Sequence, residues 1–302
     1  MARTPHRPAE LVGQIFRGSD VVRRGLLTRS QLNGAAWRRV LRDVYVDAEL
    51  PDSHRLRCEA VGLILPAGAA LTGRSAACVE GLPIGEPEDP VSVIVPPPNR
   101  LQMRGVRARH AALPATEIRR HPTSDPPNGP PGPGLPVTVP VRTAWELARE
   151  PDVPAAVAGL DLLLGHGYVT ESELRSLVEA RPRTRTAATL RLADGRAGAP
   201  EESVLRVKVV RAGFPHPVPH HPIRVHDHRT SVDLGWPALR VGANFYRDSE
   251  HYRGDQSRRS ALADARWTVI LAGRDELHDP DRFAKFCGFL DDALRRRRDE
   301  TL

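Results

Sequence analysis

Residues Ser231–Tyr252, SVDLGWPALRVGANFYRDSEHY, decide how the chain is read. Ser231–Leu234 and Leu239–Phe245 have the apolar, β-branched content of strands, and Gly235-Trp236-Pro237 breaks the run between them. Asp233 lies inside the first strand, between Val232 and Leu234. Burying a carboxylate without a partner is costly, so Asp233 either faces solvent or is held by another group. The second strand runs into a crowded polar stretch containing Asn244, Tyr246, Arg247, Asp248, Glu250 and His251.

Working outward, residues 200–298 read as one domain. Pro200-Glu201-Glu202-Ser203 opens a helix running to Ala212, with proline and acids where a helix start favours them. Ile223–His226 and Ser231–Leu234 read as paired strands, and Leu239–Phe245 continues the sheet. Asp255–Ala265 reads as a helix, Trp267–Ala272 as a buried strand, and Pro280–Arg298 as a C-terminal helix. This order is mixed α/β. The stretch HPVPHHPIRVHDHR holds histidines at 216, 220, 221, 226 and 228, but it is proline-interrupted and has no cysteine nearby, which disfavours a zinc site.

Upstream, residues 152–195 read as a helical linker. Pro154–Leu164 is one helix, Thr170–Glu173 is a capping box opening another, and residues 184–193 form a third. Asp194–Pro200 reads as a hinge to the last domain. Residues 52–150 read as a separate α/β unit, with helices over SHRLRCEAVGLIL, Gly73–Val79 and Val141–Glu150. Its strands are Val91–Pro97, Val106–Ala112 and Val137–Val139, and Thr123–Leu135 is a Pro/Gly loop. Arg74 and Ser75, and likewise Arg142 and Thr143, sit at helix starts, where polar residues commonly cap.

Residues 9–47 read as three short helices and a hairpin. AELVGQIFR carries a helical stripe, Ser19-Asp20 caps DVVRRG, and Thr28-Arg29-Ser30-Gln31 is a capping box opening a helix that Gly34 closes. WRRVLRDVYVDA alternates and turns near Arg42-Asp43. The pattern is that of a winged helix-turn-helix, in which the third helix enters the major groove of duplex DNA. Arg29, Gln31 and Asn33 would then face bases, and Arg38, Arg39 and Arg42 would face phosphates. The plain alternative is a small helical domain with a solvated arginine face.

Charge supports the first of these. The 302 residues carry a net +7, and between Arg3 and Arg42 nine arginines face only Glu10 and Asp20, so the surplus lies at the N-terminal end. Apolar residues make up 40% and charged residues 27%, the balance of a globular protein. No run is apolar and long enough to span a membrane, and the first residues lack the apolar core of a secretory signal, so the expectation is a cytoplasmic protein. Cys58, Cys78 and Cys287 are odd in number and far apart, which suits buried thiols rather than a disulfide framework.

The N-terminal half resembles the AbiEi-type antitoxins of type IV toxin–antitoxin systems. The residues carrying the likeness are LLTRSQL, WRRVLRDVYV, TGRSAACVEGLP and VTVPVRTAWELA. Asp43 stands where that family's wing usually has glycine. The C-terminal domain resembles the DUF559 domain, related to very-short-patch repair endonucleases and the PD-(D/E)xK nuclease fold, through PEESVLR, RAGFPHPV, VDLGWP and LADARWTVI. The first likeness implies duplex DNA and a toxin or other protein as partners. The second implies a restriction-endonuclease-like sheet flanked by helices, and Mg²⁺ held by acids.

By position, Glu202 matches the family's helix acid and Asp233 its strand acid. Its next acid falls on Asn244 without gaps; a two-residue insertion brings Asp248 into the pattern, with Glu250 beside it, but leaves Tyr246 at the glutamate position. Three readings follow: a nuclease fold that has lost catalysis, a slow Mg²⁺-dependent endonuclease using Asp248 or Glu250 as substitute ligand beside Asp233, and an Asp233 that is only a paired strand residue. A regulator acting through a protein partner is a further alternative.

Overall fold

The structure, a computed structural model, describes residues 6–123, 134–225, 228–246 and 256–300. The chain is a mixed α/β protein that divides into two compact units, residues 1–146 and 147–302.

In the first unit, Ile15–Arg17 (β1) is followed by the helices Gly18–Arg23 (α1) and Arg29–Leu32 (α2), then the strands Trp37–Leu41 (β2) and Val44–Asp47 (β3). The sheet order is β1-β3-β2, with antiparallel pairing throughout. The helix expected over AELVGQIFR is not formed. Ala9–Leu11 makes one 3-10 turn, Gly13 takes a left-handed φ of 69° and donates its N–H to the Asp47 carboxylate at 2.8 Å, and the chain leaves as β1. Leu11 and Phe16 still reach the core, but from a turn and a strand, and Phe16 packs edge-on against Trp37 at 5.2 Å.

The hairpin turns at Arg42-Asp43, as expected, with Asp43 at φ 63°. A non-glycine residue is disfavoured there, and Asp43 compensates through its side chain. Oδ1 accepts the Ser19 N–H at 2.8 Å and Oδ2 accepts the Ser19 hydroxyl at 2.6 Å, so the turn of the wing caps the start of α1. Ser19 and Asp20 were expected to supply that cap themselves.

The same unit continues with His54–Gly62 (α3), Ala70–Leu71 (β4), Gly73–Val79 (α4), Val91–Val95 (β5), Val106–His110 (β6), Ile118–His121 (β7), Leu135–Thr138 (β8) and Pro140–Leu147 (α5). Its five strands are ordered β6-β5-β4-β8-β7. β4 and β7 were not anticipated: β4 has two residues, and β7 is the arginine-rich sequence IRRH. Ser75 and Thr143 are not caps. Ser75 Oγ is buried, 2.9 Å from His54 Nε2, and accepts the Ser92 N–H, while Thr143 bonds Thr138. Most of the Pro/Gly loop read over Thr123–Leu135 lies outside the described residues.

In the second unit, Val153–Gly165 (α6), Glu171–Ala180 (α7) and Arg185–Leu190 (α8) lead into Pro200–Arg211 (α9). These helices are not a linker, because α6 packs along α9. Asp161 on α6 and Arg206 on α9 form an ion pair at 2.6 Å, with the side chains 3% and 5% exposed respectively. Asp161 also accepts the Asp194 N–H at 2.7 Å, and Arg206 donates to the Leu192 carbonyl at 2.6 Å. The expected hinge at Asp194–Pro200 is therefore fastened at its start.

The sheet of this unit comprises Val218–Val225 (β9), His228–Trp236 (β10), Val241–Tyr246 (β11) and Thr268–Gly273 (β12), ordered β12-β11-β10-β9. β11 and β12 are parallel and the other pairs antiparallel. The remaining helices are Gln256–Asp264 (α10), Arg274–His278 (α11) and Pro280–Asp299 (α12). Leu234, Trp236, Val241 and Ala243 pack with Leu205 and Val209 of α9 and Phe286 and Leu290 of α12. Val232 instead packs with Ile223, Val225 and Leu262 of α10. Residues two apart on a strand normally share a face. Val232 and Leu234 do not, so β10 changes face at Asp233. β12 was expected to be buried; it is an edge strand, half-buried over most of its length.

Candidate functional site

The change of face at Asp233 builds the centre that the sequence pointed to. The regular β10–β11 ladder runs only from Leu234↔Ala243 to Trp236↔Val241. Beyond it, side chains take the place of backbone partners. Asn244 Oδ1 accepts the Asp233 N–H at 3.0 Å, and Asp233 Oδ2 accepts the Phe245 N–H at 2.7 Å. Asp233 is 5% and Asn244 1% exposed, so these bonds satisfy groups that water does not reach. Among the described residues the buried Asn244 Nδ2 has no hydrogen-bond partner.

Arg258, on α10, completes the arrangement. Its Nη2 lies 2.9 Å from Asp233 Oδ1, and its Nε and Nη2 donate to the Ser231 carbonyl at 3.0 and 2.8 Å. A guanidinium presents several donors in a fixed plane, which suits holding a strand carbonyl and a carboxylate together. Both oxygens of Asp233 are thus engaged, one of them by a full positive charge.

Glu202, in the first turn of α9, stands close enough to feel Asp233. Burial and the neighbouring Asp233 charge raise its carboxyl from the ordinary value to about 7, while the Gly198 N–H and Arg258 pull the other way. Gly198 donates to Glu202 Oε2 at 2.8 Å. Two carboxyls and an arginine therefore act on one another in a partly buried region, where burial and Asp233 raise the Glu202 carboxyl.

These residues do not make a fitting Mg²⁺ site. That ion needs several hard oxygens in near-octahedral geometry. Asp233 already pairs with Arg258, Asn244 Oδ1 accepts the Asp233 N–H, and burial together with the Asp233 charge raises the Glu202 carboxyl, which works against holding it ionised. Among the described residues, no group of three or more His, Cys, Asp or Glu side chains could hold a metal ion. Asp248 and Glu250, read as substitute ligands, lie outside the described residues. Among the described residues the histidines do not gather either: His216 and His220 are exposed and the His221 ring sits 5.4 Å from Trp267, while His226 and the side chain of His228 lie outside what is described.

The residues expected to meet DNA divide into two groups. Arg29, Asn33, Arg39 and Arg42 are exposed, although Arg39 Nε also donates to the Leu41 carbonyl at 3.3 Å. Gln31 is held within the capping box, its Oε1 accepting the Thr28 N–H at 2.7 Å, which ties the side chain to its own helix start. Arg38 is also committed, donating to the Leu50 carbonyl at 3.0 Å and lying 3.4 Å from Asp52. α2 itself is a single turn, Arg29–Leu32.

Sequence reasoning missed Arg258. It lies in a helix among other polar residues, QSRRSALAD, and its partner is 25 positions away. Nothing local marks it; only the packing of α10 beside Val232 brings it to Asp233.

No protein-family model matches the chain. Two curated proteins of Mycobacterium tuberculosis, the uncharacterized proteins MT2308 of strain CDC 1551 and Rv2248 of strain H37Rv, are each 33% identical over 159 residues. The match covers 49% of this chain and 58% of each relative, so the chain spans little more than half the length of the curated relatives it matches. Among solved structures, the RV2827C protein of Mycobacterium tuberculosis aligns with 68% of this chain and 79% of its own, at 17% identity and a TM-score of 0.38.

Proposed function

We propose that this chain is a DNA-binding protein that carries a nuclease-like fold in which the acid centre has become structural. The observation that supports the loss of catalysis is the Arg258–Asp233 pair at 2.9 Å. It puts a side-chain cation against the carboxylate that a metal-dependent nuclease would use for its ion. The DNA-binding part rests on residues 9–47, whose turn–strand–helix–helix–strand–strand order and β1-β3-β2 sheet suit a winged helix. The exposed Arg39 and Arg42 lie on and beside its hairpin, and Arg29 lies at the start of α2.

A second reading has one observation in its favour. Glu202, raised to about 7 beside Asp233, is a carboxyl of the kind that acid–base chemistry uses. A supercoiled-plasmid assay with Mg²⁺ and with Mn²⁺ separates the two readings. The proposal expects the plasmid to be bound and left intact. Nicking or linearisation that disappears in Asp233→Ala would overturn it in favour of an endonuclease.

A further inference from the structure

A cavity of about 620 Å³ opens in the second unit, away from Asp233, where the start of α6 meets α9, α11 and α12. That volume is in the range of small-molecule sites. Val204, Leu277 and Phe283 give it an apolar wall, while Lys208, Arg211 and His278 give it basic groups. The acid at its edge is Asp152, whose side chain is committed to the α6 start, where it accepts the Ala155 N–H at 3.2 Å.

Lys208 is the telling residue. Of 44 cationic side chains only Lys208 and Lys285 are lysine. A compact ammonium on a flexible stem is therefore used here in a chain that otherwise relies on arginine. Nζ donates to the Leu277 carbonyl at 2.5 Å and stands 4.4 Å from the Phe283 ring centre. One carbonyl and one ring face do not exhaust three N–H donors. Among the described residues neither Lys208 nor Arg211 forms an ion pair; burial lowers the Lys208 pKa while Cys287 and Asp152 act the other way, and with two cations facing the one Asp152 carboxylate the cavity keeps a net positive charge beside hydrocarbon.

We propose that this cavity binds an apolar monocarboxylate, with the carboxylate on Lys208 and Arg211 and the hydrocarbon against Val204, Leu277 and Phe283. A neutral ligand would leave the cations unpaired. A phosphate would leave the apolar wall uncovered. The site is independent of the DNA-binding reading and stands or falls separately from it.

Calorimetric titration of the full chain with octanoate, octanol and inorganic phosphate tests the assignment. Octanoate should saturate one site and bind roughly tenfold or more tighter than octanol, as one charge-assisted hydrogen bond provides. Lys208→Met keeps the stem and removes the charge, so octanoate should fall to the affinity of octanol. Val204→Trp should abolish binding of both by filling the apolar end, and Arg211→Gln, at an exposed position, should weaken octanoate without disturbing the fold. Equal affinity for octanoate and octanol, phosphate binding tighter than octanoate, or octanoate binding unchanged in Val204→Trp and Arg211→Gln would each overturn the proposal.

Discussion

Arg258 and Asp233, 25 residues apart on a helix and a strand, meet at 2.9 Å with the carboxylate 8% exposed and the guanidinium 29% exposed. The pair sits where β10 changes face, and it fixes Ser231 and Asp233 while Asn244 and Phe245 hold the other side. The region has the acid that a nuclease would need and, beside it, a cation that belongs to the protein.

Removing that cation should cost stability. Arg258→Ala leaves Asp233 buried with a backbone N–H and no counter-charge, an expected loss of about 1–3 kcal/mol after allowing for the partial exposure of the arginine. Asp233→Asn/Arg258→Met should cost less than the sum of its two single changes, because neither orphan charge remains. Urea unfolding of the four proteins checks this; additive losses would mean that the pair does not interact.

Glu202 gives a pH signature. Its carboxyl is raised from 4.5 in the unfolded chain to about 7 in the folded protein, so the folded state holds more protons between those values. Its contribution to stability is full below about 4.5 and is lost as the pH rises towards 7. Glu202→Gln removes the charge while keeping an acceptor for the Gly198 N–H. The variant should therefore gain in Tm relative to wild type as pH increases through that window, with the difference levelling off above it. Parallel Tm curves for the two proteins would contradict the assignment.

At the wing turn, three residues rank by two opposing effects. Asp43→Ala keeps the left-handed φ of 63° unfavourable and removes the cap on Ser19, so it should cost about 1–3 kcal/mol. Asp43→Gly loses the same cap but relieves the backbone, and should cost less than alanine. Glycine more damaging than alanine in chemical denaturation would show that the backbone conformation is not what constrains the position.

Much of this architecture was legible from local chemistry. The capping boxes at Thr28–Gln31 and Thr170–Glu173 form as written, and the hairpin turns at Arg42-Asp43. These signals depend on residues three or four apart. Leu11, Val12, Ile15 and Phe16 misled because a turn followed by a strand buries Leu11 and Phe16 as a helical stripe would, while Val12 is left exposed. Gly13, with its left-handed backbone, decides between them. For Asp233 the strand position left solvent or a partner open; burial decides for the partner, whose identity depends on how α10 docks. The same limit applies to Asp161 and Arg206, whose pairing turns an apparent linker into part of a compact unit. Spacing along the chain carries no information about such contacts.

The central claim is that residues 9–47 bind duplex DNA through exposed arginines of the hairpin. Fluorescence anisotropy of a labelled duplex, followed from about 50 to 200 mM salt, tests it most directly. Log affinity should fall linearly with log salt, and Arg39→Ala/Arg42→Ala should make that slope shallower by about 2, one phosphate contact for each arginine. Arg38→Ala should change the slope much less, because Arg38 is already held by Leu50 and Asp52. No binding at the lowest salt, or a slope in the double variant equal to that of wild type, would contradict the account.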